Sequence, residues 1–333
     1  AVSQAALSAA VEALGDRWSF YLTPEQLEAY LDASSNQYAG FGVLVAKDEA
    51  TGGLAILAVY PGSGAEEAGL LAGEVILAAD GEDITALSFE EAADKLTRQE
   101  GESARLLILG TDGTEREVTV KASLVVVSPV RYALLDGNVG YVAIDNFEAH
   151  AAERFIAAVE ELMEQGAGMF VFDVRDNRGG RVKELVDILD YLLPEGEIFV
   201  SVSADGKEKV LTSDEKHLDV PAVVLVNARS YSAAEYFAAV LQEYKYAAVV
   251  GTRTTGKNRS QNTFLLPDGG GLHISTGEFL TPGRVSLTET GGLTPDVYVA
   301  LSEEKEAALE KGALSREEDD QLLAALRLLM ENS

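Results

Sequence analysis

The feature that most constrains the fold is a regular alternation of short apolar runs and longer amphipathic segments between residues 139 and 250. The strand-like runs are Val139–Ile144, Met169–Val174, Ala222–Val226 and Ala247–Val250, and the helix-like segments between them are Ala151–Gln165, Val182–Leu192 and Ala233–Tyr244. Strands that alternate with helices in this way form a sheet covered by helices. We therefore predict an α/β core in the second half of the chain.

The sequence before this core follows other patterns. Residues 5–14 have helical spacing, and Thr23 precedes a second helix that it caps, with Gln26 bonding back. Residues 34–37 are polar and favour a domain boundary. Short strands separated by glycine-containing turns follow, which is typical of a β-rich domain. The predicted elements are strands at Phe41–Val45, Ala55–Val59, Val75–Ala79 and Arg105–Leu109 and a helix at about Ser88–Gln99.

The last part of the chain returns to helical spacing after a strand at Gly271–Thr276. Ser315 and Glu318 have the spacing of a capping box and predict the start of a C-terminal helix. The residues predicted to line one face of this helix are Leu322, Leu323, Leu326, Leu329 and Met330.

Charge and cysteine content exclude several classes of function. The formal net charge is −29, and no stripe of Lys or Arg interrupts the acidic composition, so phosphate backbones and anionic lipid would be repelled. No Cys is present, which excludes disulfides, thiolate metal sites and cysteine nucleophiles. The three His show no HExxH spacing, so we expect no metal and no cofactor.

Three loops at strand ends carry the candidate chemistry. Residues 173–180 end in Gly179-Gly180, whose unobstructed N–H groups suit an oxyanion, although a plain strand-to-helix turn would look the same. Ser232 lies at a predicted helix N-terminus, where it is either a nucleophile or only a helix cap with Glu235. Residues 251–258 nearly match a phosphate-binding loop, but Asn258 lacks the required hydroxyl and no helix follows, which argues against an NTPase.

A serine hydrolase built on this chain lacks an obvious histidine base. None of the three His is flanked by a recognisable motif, and only His273, in a predicted strand near the Gly-rich stretch, stays open as a candidate. A lysine base is the alternative that Ser–Lys variants of the triad use.

At these residues the sequence resembles the carboxyl-terminal processing proteases, the tail-specific Ser–Lys peptidases of family S41 with an embedded PDZ domain. The similarity runs over nearly the whole chain in the family's order. Lys257 follows Ser232 by 25 residues (257 − 232) and Gln261 follows Lys257 by four (261 − 257), as in the family. The segments that carry the resemblance are Leu22–Glu25, Tyr38–Val43, Val59–Ala65, Ala68–Leu70, Gly73–Ile76, Asp173–Gly180 and Asn227–Glu235.

The resemblance implies a multidomain α+β and α/β fold with four regions. These are an N-terminal helical region at 1–37, a PDZ domain at 38–124, a serine protease core of the ClpP/crotonase-like αβ type at 125–302 and a C-terminal helical region at 303–333. We hypothesise that the helical ends pair between subunits, as in dimeric relatives.

The resemblance also assigns the site. Ser232 is the expected nucleophile, Lys257 the general base that burial keeps neutral, and Gln261 the residue that orients the amine. Gly180 and Ala233 are expected to form the oxyanion hole, with Gly179 as the alternative to Gly180. Glu235 and Thr254 match supporting positions of the family.

The resemblance implies that the PDZ domain selects the substrate. Backbone amides around Gly40, Phe41 and Gly42 would capture a C-terminal carboxylate while a peptide adds as a strand beside Val43, and the apolar side chains there favour apolar C-termini. The domain could also gate the protease. An activating partner is not identifiable from sequence.

Departures from the family pattern are Tyr231 and Ala234, where Ala and Ser are usual, and Arg178, which replaces a frequent Pro. They bear on substrate preference more than on activity. The alternative function is a non-catalytic PDZ binding or scaffold protein of the same fold. The expected location is outside the cytoplasm (secreted, periplasmic or membrane-anchored), with the signal or anchor segment missing from this chain.

Overall fold

Two units divide the chain in the computed structural model, which describes residues 2–331. The smaller unit comprises residues 36–127, and the larger unit combines the residues up to 35 with those from 128 onward. The smaller unit is thus an insertion in the larger one, and the N-terminal helices belong to the same unit as the second half of the chain.

The N-terminal segment contains helix α1 (Val2–Glu12), strand β1 (Phe20–Leu22) and helix α2 (Pro24–Ser35). The predicted cap of the second helix is present: the backbone N–H of Gln26 donates to Thr23 Oγ1 at 3.3 Å, and the backbone N–H of Thr23 donates to Gln26 Oε1 at 3.0 Å. This reciprocal pair satisfies two N–H groups at the helix end and explains why the helix begins at Pro24.

The smaller unit is mostly β-structure. Its elements are β2 (Gln37–Gly40), β3 (Val43–Lys47), β4 (Leu54–Val59), α3 (Gly64–Glu67), β5 (Val75–Ala79), β6 (Glu82–Asp83), α4 (Phe89–Asp94), β7 (Ser103–Leu109), β8 (Glu115–Lys121) and β9 (Ser123–Val126). One antiparallel sheet has the order β3-β4-β5-β7-β8, with β6 paired to β5, and β2 pairs with β9. Strand β3 therefore lies at an edge of this sheet.

The strand predicted at Phe41–Val45 begins two residues later than expected. Gly42 has a φ of 83°, and its carbonyl accepts the N–H of Tyr60 at 2.9 Å. This left-handed residue turns the chain between β2 and β3, so the prediction was wrong at its first residues. The predicted helix at Ser88–Gln99 is also shorter, because the structure ends it at Asp94.

The larger unit continues with fifteen elements among the described residues. They are β10 (Val130–Leu135), β11 (Val139–Ile144), α5 (Ala151–Glu164), β12 (Met169–Asp173), α6 (Val182–Leu192), β13 (Gly196–Ser203), β14 (Glu208–Ser213), β15 (Ala222–Val226), α7 (Ala233–Glu243), β16 (Ala247–Gly251), β17 (Arg259–Leu265), β18 (Gly271–Leu280), β19 (Val297–Tyr298), α8 (Glu303–Glu310) and α9 (Asp320–Glu331).

The central sheet has the order β10-β11-β12-β15-β16-β19, and all of its pairings are parallel except that of β10 with β11. Side chains alternate between its faces: Phe170 and Phe172 pack with α5, α6 and α7, whereas Val171 packs with α9. Both faces are thus covered by helices, which confirms the predicted α/β core and explains why its strands are apolar throughout.

A second, antiparallel sheet has the order β1-β18-β13-β14, with β17 paired to β18. Strand β17 begins at Arg259, directly after the loop that resembled a phosphate-binding motif. No helix follows that loop, so the amide cradle and dipole of a phosphate loop are missing, as expected from the sequence.

The C-terminal helix differs from its prediction. Ser315 and Glu318 hydrogen-bond to each other in a turn before the helix, and α9 instead begins after Asp319, whose Oδ1 accepts from the N–H groups of Gln321 and Leu322 at 3.1 Å each. Of the residues predicted to line one face of this helix, Leu322 and Leu329 are buried, whereas Met330 is 57% exposed. No helix within residues 2–331 is both long enough and apolar enough to span a lipid bilayer.

A buried ionic cluster connects the end of β12 to the start of α9. Arg175 Nη2 lies 2.6 Å from Asp173 Oδ2 and 2.8 Å from Asp319 Oδ2, and its Nη1 also donates to Gln321 Oε1 at 3.0 Å. Tyr141 donates to Asp173 at 2.7 Å. Burial alone would raise the pKa of Asp173, but Arg175 and the hydrogen bonds outweigh it and lower that pKa.

We predict that Asp319→Ala lowers the free energy of unfolding of the larger unit by about 3–5 kcal/mol, because it leaves a buried guanidinium short of one carboxylate. The matched control is Asp320→Ala, which removes a partly exposed pair with Lys305 and is expected to cost about 0–1 kcal/mol. Denaturant unfolding can be followed by the fluorescence of Trp18, the only tryptophan of the chain. Equal losses in the two variants would contradict the prediction.

Candidate active site

Four loops at the carboxyl ends of the parallel strands β11, β12, β15 and β16 meet beside the second sheet and enclose a cavity of about 640 Å³. Carboxyl ends of neighbouring parallel strands are the usual place for a binding site in such sheets. The cavity brings together most residues singled out from the sequence. Its lining includes Gly179, Gly180, Ser232, Lys257, Gln261 and His273.

Ser232 adopts a backbone conformation that is rare for a residue with a side chain. Its φ is 59° and its ψ is −124°, immediately before α7 begins. Such a conformation costs on the order of 1–3 kcal/mol and persists only where surrounding contacts enforce it. A serine that only capped a helix would have an extended backbone, so the geometry favours the nucleophile over the simple cap.

The glycine pair lies against this serine. A Cβ on Gly179, whose φ is 88°, would come within 2.8 Å of Ser232 Cβ and 3.0 Å of Ala233 N, so no larger residue fits there. The N–H of Gly179 donates to Asn177 Oδ1 at 2.8 Å. Within residues 2–331, the N–H groups of Gly180 and Ala233 have no hydrogen-bond partner. Of the two glycines, Gly180 therefore has the available donor.

Lys257 is largely buried, and burial lowers its pKa from 10.5 to about 8, although Asp16 and Glu235 oppose that shift. Its Nζ lies 4.6 Å from the ring centroid of Trp18 and 5.7 Å from that of Tyr231, and the two ring centroids are 5.6 Å apart. Aromatic faces hold the amine away from water here. The sequence reasoning missed Trp18, and the available signal was that it is the only tryptophan in the chain.

Glu235 ties the serine segment to the lysine segment. Its Oε1 accepts the N–H groups of Ser232 (3.2 Å) and Lys257 (2.5 Å), and its Oε2 accepts the N–H of Gly256 (2.9 Å) and the hydroxyl of Thr254 (2.6 Å). Burial raises the pKa of Glu235, and these hydrogen bonds oppose the rise. One fully buried carboxylate thus fixes two loops that are far apart in sequence.

Gln261 lies on β17 and lines the cavity, and its side-chain amide hydrogen-bonds to residues of β17 and of the neighbouring strand β18. Its Nε2 donates to the carbonyl of Arg259 at 2.9 Å and to Ser275 Oγ at 3.1 Å. His273 stacks on Phe20, with ring centroids 4.6 Å apart, and its Nδ1 lies 2.9 Å from Thr263 Oγ1. Burial lowers the pKa of His273, and the charge of Lys257 lowers it further.

The residues expected to bind a peptide C-terminus lie in the smaller unit. The carbonyl of Phe41 accepts the N–H of Ala65 at 2.8 Å and that of Gly42 accepts the N–H of Tyr60 at 2.9 Å, which fixes the turn that follows Gly40. The Phe41 ring is buried in the core of the unit. Val43 begins the edge strand β3, whose only strand partner within residues 2–331 is β4.

Comparison with known proteins gives consistent matches. The sequence model of peptidase family S41 matches residues 138–299, and a PDZ domain model matches residues 56–110. The carboxyl-terminal-processing protease of Synechocystis sp. is 34% identical over 95% of this chain and 74% of its own length. The chloroplastic carboxyl-terminal-processing peptidase 1 of Arabidopsis thaliana is 31% identical over 85% of this chain and 60% of its own length.

Solved structures agree with the sequence matches. The photosystem II D1 C-terminal processing protease is 27% identical and has a TM-score of 0.52, with 91% of this chain and 82% of that chain covered. The tricorn protease, at 18% identity, shares the fold with a TM-score of 0.53 over 88% of this chain and 29% of its own.

We predict that Trp18→Ala raises the pKa of Lys257 from about 8 toward 10.5, because removal of the indole lets water reach the amine. Trp18→Phe is the matched control, since it keeps an aromatic face over the amine and should remain closer to the wild-type value. The pH dependence of acetylation of Lys257 by acetic anhydride, measured by mass spectrometry, reports the neutral fraction. An unchanged or lower pKa in Trp18→Ala would disprove the shielding role.

Proposed function

The chain belongs to peptidase family S41 and is a serine-type peptidase of the carboxyl-terminal-processing proteases, and we propose that it cleaves proteins or peptides near their C-termini with Ser232 as nucleophile and Lys257 as general base. The observation that carries this assignment is a buried amine with a lowered pKa in the same cavity as a strained serine at a helix N-terminus. A lysine is a useful base only when it is neutral near the working pH.

The proposed reaction proceeds through an acyl-enzyme. The neutral amine of Lys257 takes the proton of Ser232 as its oxygen attacks the scissile carbonyl, and the N–H groups of Gly180 and Ala233 stabilise the oxyanion. The ammonium then gives its proton to the leaving amine. Water, deprotonated by the same lysine, hydrolyses the ester and restores the serine.

The remaining residues of the proposed site act through these groups. Glu235 and Thr254 position the backbones of Ser232 and Lys257. The amide nitrogen of Gln261 donates to Ser275 on β18, and we propose that its carbonyl oxygen orients the lysine amine without adding charge. A carboxylate in that place would raise the pKa of the lysine and keep it protonated.

We propose that the PDZ domain selects the substrate by its C-terminus and gates cleavage. The free edge of β3, next to the turn at Gly40–Gly42, supports addition of an extended peptide as a further strand. Apolar side chains around this edge, including the half-buried Val43 and Val45, suit apolar C-termini.

Two further assignments rest on family membership and are proposals for this chain. One is a location outside the cytoplasm. The other is pairing of the helical ends between subunits, which the exposed side chains of Leu14, Leu31 and Met330 support.

Ser232→Ala and Lys257→Ala are each expected to abolish cleavage of an unfolded protein with an apolar C-terminus, as followed by gel electrophoresis and mass spectrometry. In the wild type, kcat/KM should rise with pH through about 8, because Lys257 is protonated and inactive below that value. A wild type that binds the substrate through its PDZ domain but never cleaves it would instead support the binding-protein alternative.

A second experiment addresses the PDZ domain in the full chain carrying Ser232→Ala. We expect a peptide with an apolar C-terminal residue and a free carboxylate to slow hydrogen exchange at the amides of β3 (Val43–Lys47), because the peptide pairs with this edge. The opposite edge strand β8 (Glu115–Lys121) is the internal control. Equal protection of both edges, or of neither, would disprove strand addition at β3.

A further inference from the structure

The charge of the active-site cavity is opposite to that of the protein. The chain has 26 basic and 55 acidic residues, yet the cavity is lined by five cationic side chains and, among the described residues, by one carboxylate, that of Glu148. The five cations are Arg17, Arg178, Arg181, Lys257 and Arg259. A cavity with the average composition of this acidic chain would contain more carboxylates than cations. We therefore expect the cationic side chains of the cavity to have a specific role.

Three of these cations have partners or a role already. Arg181 pairs with Glu148 at 3.2 Å, Arg259 pairs with Glu278 at 3.3 Å, and Lys257 is the proposed base. Arg17 and Arg178 are exposed and form no ion pair with any carboxylate of residues 2–331. Two guanidinium groups in an acidic protein therefore remain available to a ligand.

Both free arginines lie next to the reacting groups. Arg178 directly precedes the glycine pair, and its charge opposes the rise that burial causes in the pKa of Tyr231. The guanidinium of Arg17 lies 4.2 Å from the ring centroid of Trp18, which in turn contacts Tyr231. Arg17 thus contacts the aromatic pair over which Lys257 also lies, and Arg178 lines the same cavity.

We propose that Arg178 and Arg17 form a carboxylate-binding subsite of the cavity, so that the peptidase prefers peptides with a carboxylate close to the scissile bond. This inference rests on the proposed function and extends it to a substrate class. A guanidinium binds a carboxylate through two parallel hydrogen bonds, which fixes the position of the peptide as well as attracting it. The carboxylate comes either from an Asp or Glu side chain or from the C-terminus of the substrate.

The test uses one cleavable peptide in three forms that differ in a single charge. The reference has Gln near the scissile bond and an amidated C-terminus; the second has Glu in place of Gln; the third keeps Gln and has a free C-terminus. Glu is placed in turn at the three positions on each side of the cleaved bond. We expect kcat/KM to be about 5- to 20-fold higher for at least one carboxylate form, as for a partly exposed charge-assisted pair.

Variants of the chain assign the preference to the subsite. Arg178→Ala and Arg17→Ala should each reduce the ratio of kcat/KM between carboxylate and neutral peptides toward one, and Arg178→Lys should retain part of it. The matched control is Arg327→Ala, an exposed arginine on α9 outside the cavity, which should leave the ratio unchanged. Raising the salt concentration should also lower the ratio. A ratio near one in the wild type, or an equal ratio in the Arg178 and Arg327 variants, overturns the proposal.

Binding to the full chain carrying Ser232→Ala separates this proposal from the assignment of the catalytic residues. Trp18 is the only tryptophan and lines the cavity, so its fluorescence reports occupation of that cavity. We expect tighter binding of the carboxylate peptides by a similar factor, lost on adding Arg178→Ala. Selective binding without cleavage by the wild type would support the subsite and disprove the dyad, whereas cleavage without selectivity would disprove the subsite alone.

Discussion

The candidate site depends on the buried carboxylate of Glu235. It accepts hydrogen bonds from the backbone of Ser232 and from three groups of the loop that carries Lys257. A buried carboxylate is tolerable only when its oxygens are satisfied, and here the four donors come from two different strand ends. The hydrogen bonds that offset the cost of burying Glu235 therefore also set the relative position of the segments that carry Ser232 and Lys257, the proposed nucleophile and base. The carboxylate that caps α7 at Ser232 therefore also binds the backbone of Lys257.

Much of this arrangement could be predicted from sequence because it follows local rules. The apolar runs of the central sheet, the cap at Thr23 and the loops containing Gly179, Ser232 and Lys257 each carry a signal in their own residues. Strands β14 and β17 could not be predicted, because most of their residues are polar or exposed and show no apolar strand pattern. Strand β13 was missed although its residues 198–200 are buried, because one of its two partners, β18, is distant in sequence. The cap at Ser315 failed for a related reason: Asp319 starts α9 because it also binds Arg175, a contact that no local pattern contains.

Trp18 illustrates the same limit at the site itself. Nothing in the sequence connects it to Lys257, yet its ring lies against the amine because β1, the strand that follows it, pairs with β18 of the second sheet. The indole has two opposed effects: its face attracts an ammonium, and its bulk excludes the water that an ammonium needs. Burial lowers the pKa of Lys257 to about 8 against the opposing charges of Asp16 and Glu235, so the amine is more easily deprotonated than a solvated lysine.

The loop after β12 shows how its polar residues leave one amide free. Asp173 and Arg175 fix the strand end to the start of α9, and Asp176, with a φ of 61°, then reverses the chain. After this turn, the side-chain amide of Asn177 donates to the carbonyl of Ile144 at 2.7 Å, and its Oδ1 accepts the N–H of Gly179. These contacts use the polar groups that precede Gly180 and leave its N–H directed at no protein acceptor within residues 2–331. An amide held this rigidly needs no reorganisation when charge develops on the substrate, which is the property that makes an oxyanion hole effective.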